Sequence, residues 1–165
     1  MLILVTSDTD INEVVRLAQI IWREHYYPIT GEEHVEYMLD TFQSFPSIKE
    51  QIADGCKYYL VKSNKTNCGY FAFQPEGEKA YLSKAYLLSE YRGKGFFSKM
   101  LSFMKTEAKK SGSKSMYLTV NRDNANSVAV YTKCGFKITE AKKIPIGGGH
   151  YKDDYIMELD LMRNA

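Results

Sequence analysis

The sequence has little charge of either sign to spare. Its 22 basic and 20 acidic residues leave a formal net charge of +2, which argues against a nucleic-acid binder relying on bulk charge. No apolar run approaches the ~20 residues of a membrane span, so no membrane partner is expected. The N-terminus lacks a basic region followed by a long apolar stretch; no secretory leader is expected, and the expected location is the cytoplasm. There are three cysteines, Cys56, Cys68 and Cys134, without C-x-x-C spacing. They are expected as reduced, small apolar fillers rather than nucleophiles, and no metal site is expected. Internal repeats, linkers and low-complexity segments are also missing. The 165 residues suffice for one well-cored domain and are short for two, so residues 1–165 are expected to form a single domain.

What is present is an ordinary globular composition, 44% hydrophobic and 25% charged. Leu2–Thr6 reads as a strand, and Asp10-Ile-Asn-Glu13 as the cap of a helix with Ile11, Val14, Val15, Ala18, Ile21 and Trp22 on one stripe. That helix is expected to fail near Tyr27-Pro28, because proline restricts the residue before it. A second helix starts at Thr30-Gly31-Glu32-Glu33, and a third runs from Pro46 to Ala53. Lys57–Val61 and Gly69–Gln74 flank a polar turn, Asn64–Asn67, as a hairpin. Later come a strand at Ser115–Asn121, a helix capped by Asn124, and two strands, Phe136–Ile144 and Asp154–Leu161, around a Pro145–Gly149 loop. The element order predicts one α+β domain.

The chain is organised around Ala80–Ser111. It opens as a strand to Leu88, breaks at Ser89–Gly95 and continues as a helix, with Phe97, Met100, Leu101, Met104 and Ala108 on one face. Between the two lies Arg92-Gly93-Lys94-Gly95, backbone N–H groups entering a helix N-terminus, a ready site for phosphate. No Lys-Ser/Thr pair follows the second glycine, which excludes the P-loop of nucleotide hydrolases. Gly93-x-Gly95-x-x-Ser98 fits a dinucleotide fingerprint only in part, and a Gly-rich turn closing an ordinary strand–helix unit is the plain alternative.

The stretch resembles the acetyl-CoA motif of the GCN5-related N-acetyltransferases (GNAT), Arg/Gln-x-x-Gly-x-Gly/Ala after a strand, with Phe97 where that family usually has Gly or Ala. A second motif agrees: Asn121–Tyr131 followed by Gly135-Phe136 resembles the family's Asn-x-x-Ala-x-x-x-Tyr and Gly-Phe, with Ser127 in place of Ala. Taken alone, Asn124 is a helix cap and Tyr131 a half-buried ring. The resemblance implies the acyl-CoA N-acyltransferase fold, a mixed, mostly antiparallel sheet flanked by helices. It implies transfer of acetyl from acetyl-CoA to an amine by direct attack. In that reading the Leu87 N–H holds the acetyl oxygen, and Leu88, Ser89, Arg92, Gly93, Lys94, Gly95, Phe96, Phe97, Ser98 and Asn124 bind the cofactor. Arg92 and Lys94 add charge or are merely solvated. Tyr131 contacts the cofactor and protonates the departing thiolate.

The base is open. Many family members carry Glu on the strand before the loop, at a position that falls here on Ser83, and the neighbouring Lys84 cannot replace a carboxylate. Glu24, His25 and His150 are the candidates, with His25 having the suitable intrinsic pKa. The layout of Trp22–Asp40 is similar to that of bacterial polyamine N-acetyltransferases. Glu24, Glu32, Glu33, Glu36 and Asp40 there suit a cationic amine or are the wet faces of two amphipathic helices. Tyr26, Tyr27 and Tyr37 line an amine pocket or merely pack. The expected partners are acetyl-CoA and an amine substrate, not nucleic acid, with the chain a monomer or homodimer. A protein or peptide N-acetyltransferase and a CoA-binding module without turnover are the alternative functions.

Overall fold

The computed structural model describes residues 1–162. The elements follow as β1 (Leu2–Leu4), α1 (Asp8–Thr30), α2 (Glu32–Phe42), α3 (Phe45–Ala53), β2 (Lys57–Ser63), β3 (Thr66–Glu76), β4 (Lys79–Leu87), a 3-10 turn (Ser89–Tyr91), α4 (Phe96–Lys110), β5 (Ser115–Asn121), α5 (Ala125–Lys133), β6 (Lys137–Gly147) and β7 (His150–Asp160). The strands form a seven-stranded sheet in the order β1-β2-β3-β4-β5-β7-β6. β4 and β5 run parallel, whereas β1–β2, β2–β3, β5–β7 and β6–β7 are antiparallel. This is the α+β architecture expected from the element order. Contacts divide the chain into two compact units, Met1–Gln74 with Ser83–Met104, and Pro75–Leu82 with the chain from Lys105 onward.

In the first unit the register pairs Tyr58 with Ala72 and Leu60 with Tyr70, which puts these four side chains on one face. The Tyr58 hydroxyl donates to Gln51 of α3, and the Tyr70 hydroxyl donates to Gln43 after α2 at 3.1 Å. The opposite face carries Tyr59, Phe71 and Phe73, with the Tyr59 ring stacked against each phenylalanine and Phe103 of α4 edge-on at 4.9 Å from Tyr59. Each buried aromatic of this kind contributes about 1.5–3 kcal/mol. α1 buries Ile11, Val14, Leu17, Ala18, Ile21 and Trp22, the expected stripe with Leu17 added and Val15 only half-buried.

Both ends of α1 differ from expectation. Ser7 is the N-cap, its Oγ accepting from the Asp10 N–H, while Asp10 reaches back to accept from the Thr6 N–H, each at 3.1 Å. Asp10 is therefore the third helical residue of a reciprocal cap. The helix also continues through Pro28 to Thr30, although an internal proline costs about 3 kcal/mol. Side chains near the proline offset part of that cost. Glu36 of α2 accepts from Arg23 and from the Tyr27 hydroxyl, and Thr30 Oγ1 donates to the Tyr26 carbonyl. Gly31, at φ +88°, then ends the helix with its N–H on the Tyr27 carbonyl. Glu24 and His25 both sit on α1.

The second unit holds the first half of β4, then β5, β7 and β6. Met116, Leu118, Met157 and Leu159 are buried at alternate positions. The β6–β7 hairpin is longer than expected. Pro145 lies inside β6, and the Pro145–Gly149 loop contracts to a tight turn in which Gly147, Gly148 and Gly149 all have positive φ. Among the described residues, no helix is long and apolar enough to cross a membrane.

Candidate active site

The end of β4 sets the geometry of the first group of residues. Leu88 donates its N–H to the Cys68 carbonyl of β3 at 2.8 Å. Successive peptide groups of an extended strand face opposite sides, so the Leu87 N–H and carbonyl face away from β3. That carbonyl accepts from Arg92 Nε at 3.2 Å, while the Tyr91 and Arg92 N–H groups close a turn on the Leu88 and Ser89 carbonyls. Arg92 thus ties the loop to the strand end. The β4–β5 ladder consists of Lys79 with Ser115, Ala80 with Met116 and Tyr81 with Tyr117, although β4 continues to Leu87.

Gly93 and Gly95 have φ of +73° and +89°, and no atom lies within 4 Å of where a Cβ would stand on either. The left-handed backbone favours glycine, and the open space beside it leaves the backbone accessible to an incoming group. Gly95 accepts from the Lys99 N–H at 3.3 Å, so Phe96, Phe97 and Ser98 form the first turn of α4, ahead of the intrahelical ladder. Their N–H groups lie at the positive end of the helix dipole. Phe96 and Phe97 are half-buried. Tyr91 meets the Phe96 ring edge-on at 6.0 Å, and Lys94 Nζ lies 5.8 Å from the Tyr91 ring. An open glycine turn feeding a helix N-terminus fits a pyrophosphate.

Lys84, set aside at the sequence level because it is no carboxylate, is buried. Its Nζ donates to Gln51 Oε1 at 2.7 Å and to Ser83 Oγ at 3.3 Å, and lies 5.1 Å from the Tyr58 ring. The strand's alternation of Ala80, Leu82 and Lys84 was the signal for that burial.

On α1, Glu24 is exposed and His25 half-buried, with the His25 ring edge-on to Tyr26 at 4.8 Å. Tyr26 belongs to an aromatic cluster that the sequence did not reveal. Its ring centre is 4.3 Å from that of Trp22, which lies 5.7 Å from Tyr86, itself 5.5 Å from Tyr70. Burial pushes the Tyr70 phenol well above its ordinary pKa. The Arg23 guanidinium, and then the Tyr27 hydroxyl, hold Glu36 below the usual carboxylate range. Glu24, Glu32, Glu33 and Asp40 are exposed, and Tyr37 is half-buried.

The second unit carries the remaining candidates. Asn124 is buried, and its Oδ1 accepts from the Ser127 N–H at 3.4 Å as the cap of α5. Tyr131 is half-buried and edge-on to Phe136 at 5.5 Å, with the Phe136 N–H donating to the Tyr131 carbonyl. His150 is half-buried at the start of β7. The candidates thus fall into one continuous chain segment from Leu87 to Ser98, two residues on α1 of the same unit, and three in the other unit. No cluster of metal-ligating side chains occurs among the described residues.

Residues 14–136, from α1 to the Gly135-Phe136 pair, match the sequence profile of the acetyltransferase (GNAT) family. The chain belongs to that family. No curated protein matches the sequence. Among solved structures, this GNAT acetyltransferase resembles the PaiA N-acetyltransferase of Thermoplasma acidophilum in complex with coenzyme A, with a TM-score of 0.80 at 23% identity over 97% of this chain and 99% of that one. It resembles the ribosomal-protein-S18-alanine N-acetyltransferase of Escherichia coli with a TM-score of 0.72 at 18% identity, over 100% and 97% of the two chains. A GNAT family acetyltransferase of Elizabethkingia anophelis with acetyl-CoA bound matches with a TM-score of 0.57 at 18% identity, over 73% and 87%.

Proposed function

We propose that this GNAT acetyltransferase, as one domain over residues 1–165, transfers an acetyl group from acetyl-CoA to a primary amine by direct attack, and that the amine is a small polycation such as a polyamine. The observation that carries the transfer is the pairing of a Leu87 N–H turned away from β3 with the open glycine turn that follows it. The coenzyme A and acetyl-CoA complexes among similar structures support the same cofactor here.

Bound acetyl-CoA supplies an activated thioester carbonyl. The chain's residues then divide the work. Of the Arg92–Ser98 stretch, the N–H groups from Gly93 onward hold the pyrophosphate, the Arg92 N–H being taken by the Ser89 carbonyl, with the Arg92 side chain fixing the loop and Lys94 adding charge; Asn124 orders the start of α5 and binds the cofactor. The Leu87 N–H donates to the acetyl oxygen as negative charge develops there. Tyr131, a phenol protonated at neutral pH, gives its proton to the leaving sulfur. The attacking ammonium must first lose a proton, and Glu24, His25 or His150 takes it.

For the acceptor, the exposed Glu24, Glu32, Glu33 and Asp40 on α1 and α2 favour a ligand with several positive charges. Glu36 is excluded from that set because Arg23 and Tyr27 already occupy it. The likeness to the ribosomal-protein-S18-alanine N-acetyltransferase favours a second reading, transfer to a protein or peptide N-terminus. Thiol release from acetyl-CoA, measured against a panel of amines and peptides, separates them. Release with polyamines supports the first reading and release only with peptides the second. Binding without release for any acceptor contradicts both.

A further inference from the structure

We infer that Gly69 on β3 is a positioning residue for the Leu87 N–H. The inference rests on the reading of Leu87 as the donor to the acetyl oxygen. A Cβ built on Gly69 would stand 2.3 Å from the Tyr86 carbonyl oxygen, 2.7 Å from Leu87 Cδ2 and 3.2 Å from Leu87 Cα. Two of these three neighbours are β4 backbone atoms, which cannot rotate out of the way. No side chain larger than hydrogen fits unless β4 moves away from β3 at the two residues that carry the donor. The φ of Gly69 is not in the left-handed region, so the requirement is for space alone.

The neighbouring residue works with it. The β2–β3 register passes from Val61 opposite Gly69 to Lys62 opposite Asn67, which leaves Cys68 as the extra residue of a bulge. A bulge turns local backbone groups and is used to re-aim them. Here the Cys68 carbonyl receives the Leu88 N–H at 2.8 Å. Cys68 therefore fixes the peptide after Leu87, and Gly69 admits the Tyr86 carbonyl before it. The Leu87 N–H between them is held facing away from β3 from both sides.

A Cβ at Gly69 requires a displacement on the order of 1 Å, enough to cost a reaction about 10²-fold when it shifts a catalytic group. Gly69→Ala is expected to lower kcat about 10–10²-fold with the Kd for CoA, which reports the pyrophosphate loop, changed less than about threefold. The deciding signature is the carbonyl stretch of bound acetyl-CoA labelled with 13C at the thioester carbon. In the wild type, hydrogen bonding to Leu87 lowers it relative to free acetyl-CoA, and in Gly69→Ala it returns toward the free value. A glycine needed only for stability would leave that frequency unchanged.

The pair Leu87→Ala and Gly69→Ala/Leu87→Ala separates backbone from side chain. Trimming Leu87 removes the 2.7 Å contact and leaves the 2.3 Å one, so the double variant should still lose kcat relative to Leu87→Ala. It also serves as the test if the single Gly69 variant does not fold. Restored kcat in the double variant, an unshifted carbonyl stretch in Gly69→Ala, or failure of both Gly69 variants to fold overturns the inference. A wild-type stretch equal to that of free acetyl-CoA instead overturns the reading of Leu87 on which it rests.

Discussion

Glu36 on α2 receives both arms of the Arg23 guanidinium on α1, at 3.0 Å from Nε and 2.8 Å from Nη2. This pair, with the Tyr27 hydroxyl added at 2.7 Å, joins the proline-containing end of α1 to α2. Exposed pairs contribute about 0.2–1 kcal/mol, and both side chains here are more than 40% exposed. Glu36→Gln is therefore expected to lower unfolding stability by no more than about 1 kcal/mol at neutral pH. Because folding depresses the Glu36 pKa, its contribution is full above the ordinary glutamate range and disappears as pH falls through the folded value. Urea titrations of both proteins should differ at pH 7 and converge in acid. An equal difference in acid contradicts the ion-pair account.

The glycine turn makes a sharper prediction. Gly95→Trp places a bulky side chain at a positive φ and over the first-turn N–H groups, so calorimetry should show CoA affinity lost by at least about tenfold. Equal binding by wild type and variant would remove the loop from the site.

Tyr131→Phe deletes one hydroxyl from a half-buried ring and should leave the edge contact to Phe136 in place. Acetyl-CoA affinity is expected to stay constant while turnover falls about 10²-fold, the scale of general-acid assistance. Unchanged turnover, with chemistry rate-limiting, would assign the proton to another donor.

How far these residues could be read beforehand depends on whether their determinants are local. α4, β5 and α5 are marked by helical or alternating apolar spacing and by a cap or glycine within a few positions, and the structure places them within one or two residues of expectation. Pro28 misled because its penalty is local, whereas the contacts to Glu36 that offset part of it come from the next helix. The Trp22–Tyr26–Tyr86–Tyr70 cluster draws on three separate elements, which spacing along the chain does not bring together. Gly69 looks like any strand glycine until the backbone opposite it is known. The direction of the Leu87 N–H was legible only through the resemblance, since it follows from a hydrogen bond made by Leu88.

Acceptor preference should depend on salt. If the acceptor is a polycation, each exposed carboxylate on α1 and α2 would contribute only about 0.2–1 kcal/mol to holding it, so several would have to act together, and ionic strength would screen them. The ratio of kcat/KM for spermidine to that for a monoamine of similar length is expected to exceed one at low salt and to fall as salt rises. Equal use of the monoamine at low salt would make the acidic residues solvated helix faces and remove the polyamine assignment, leaving amine acetylation intact.

Direct attack is tested most squarely by initial rates over a grid of acetyl-CoA and amine concentrations, read together with the mass of the protein after exposure to acetyl-CoA alone. A nucleophile that attacks the thioester within a ternary complex gives intersecting double-reciprocal lines and an unmodified chain. Parallel lines with an acetyl group carried on the protein, at Cys134 or any other side chain, would contradict the account.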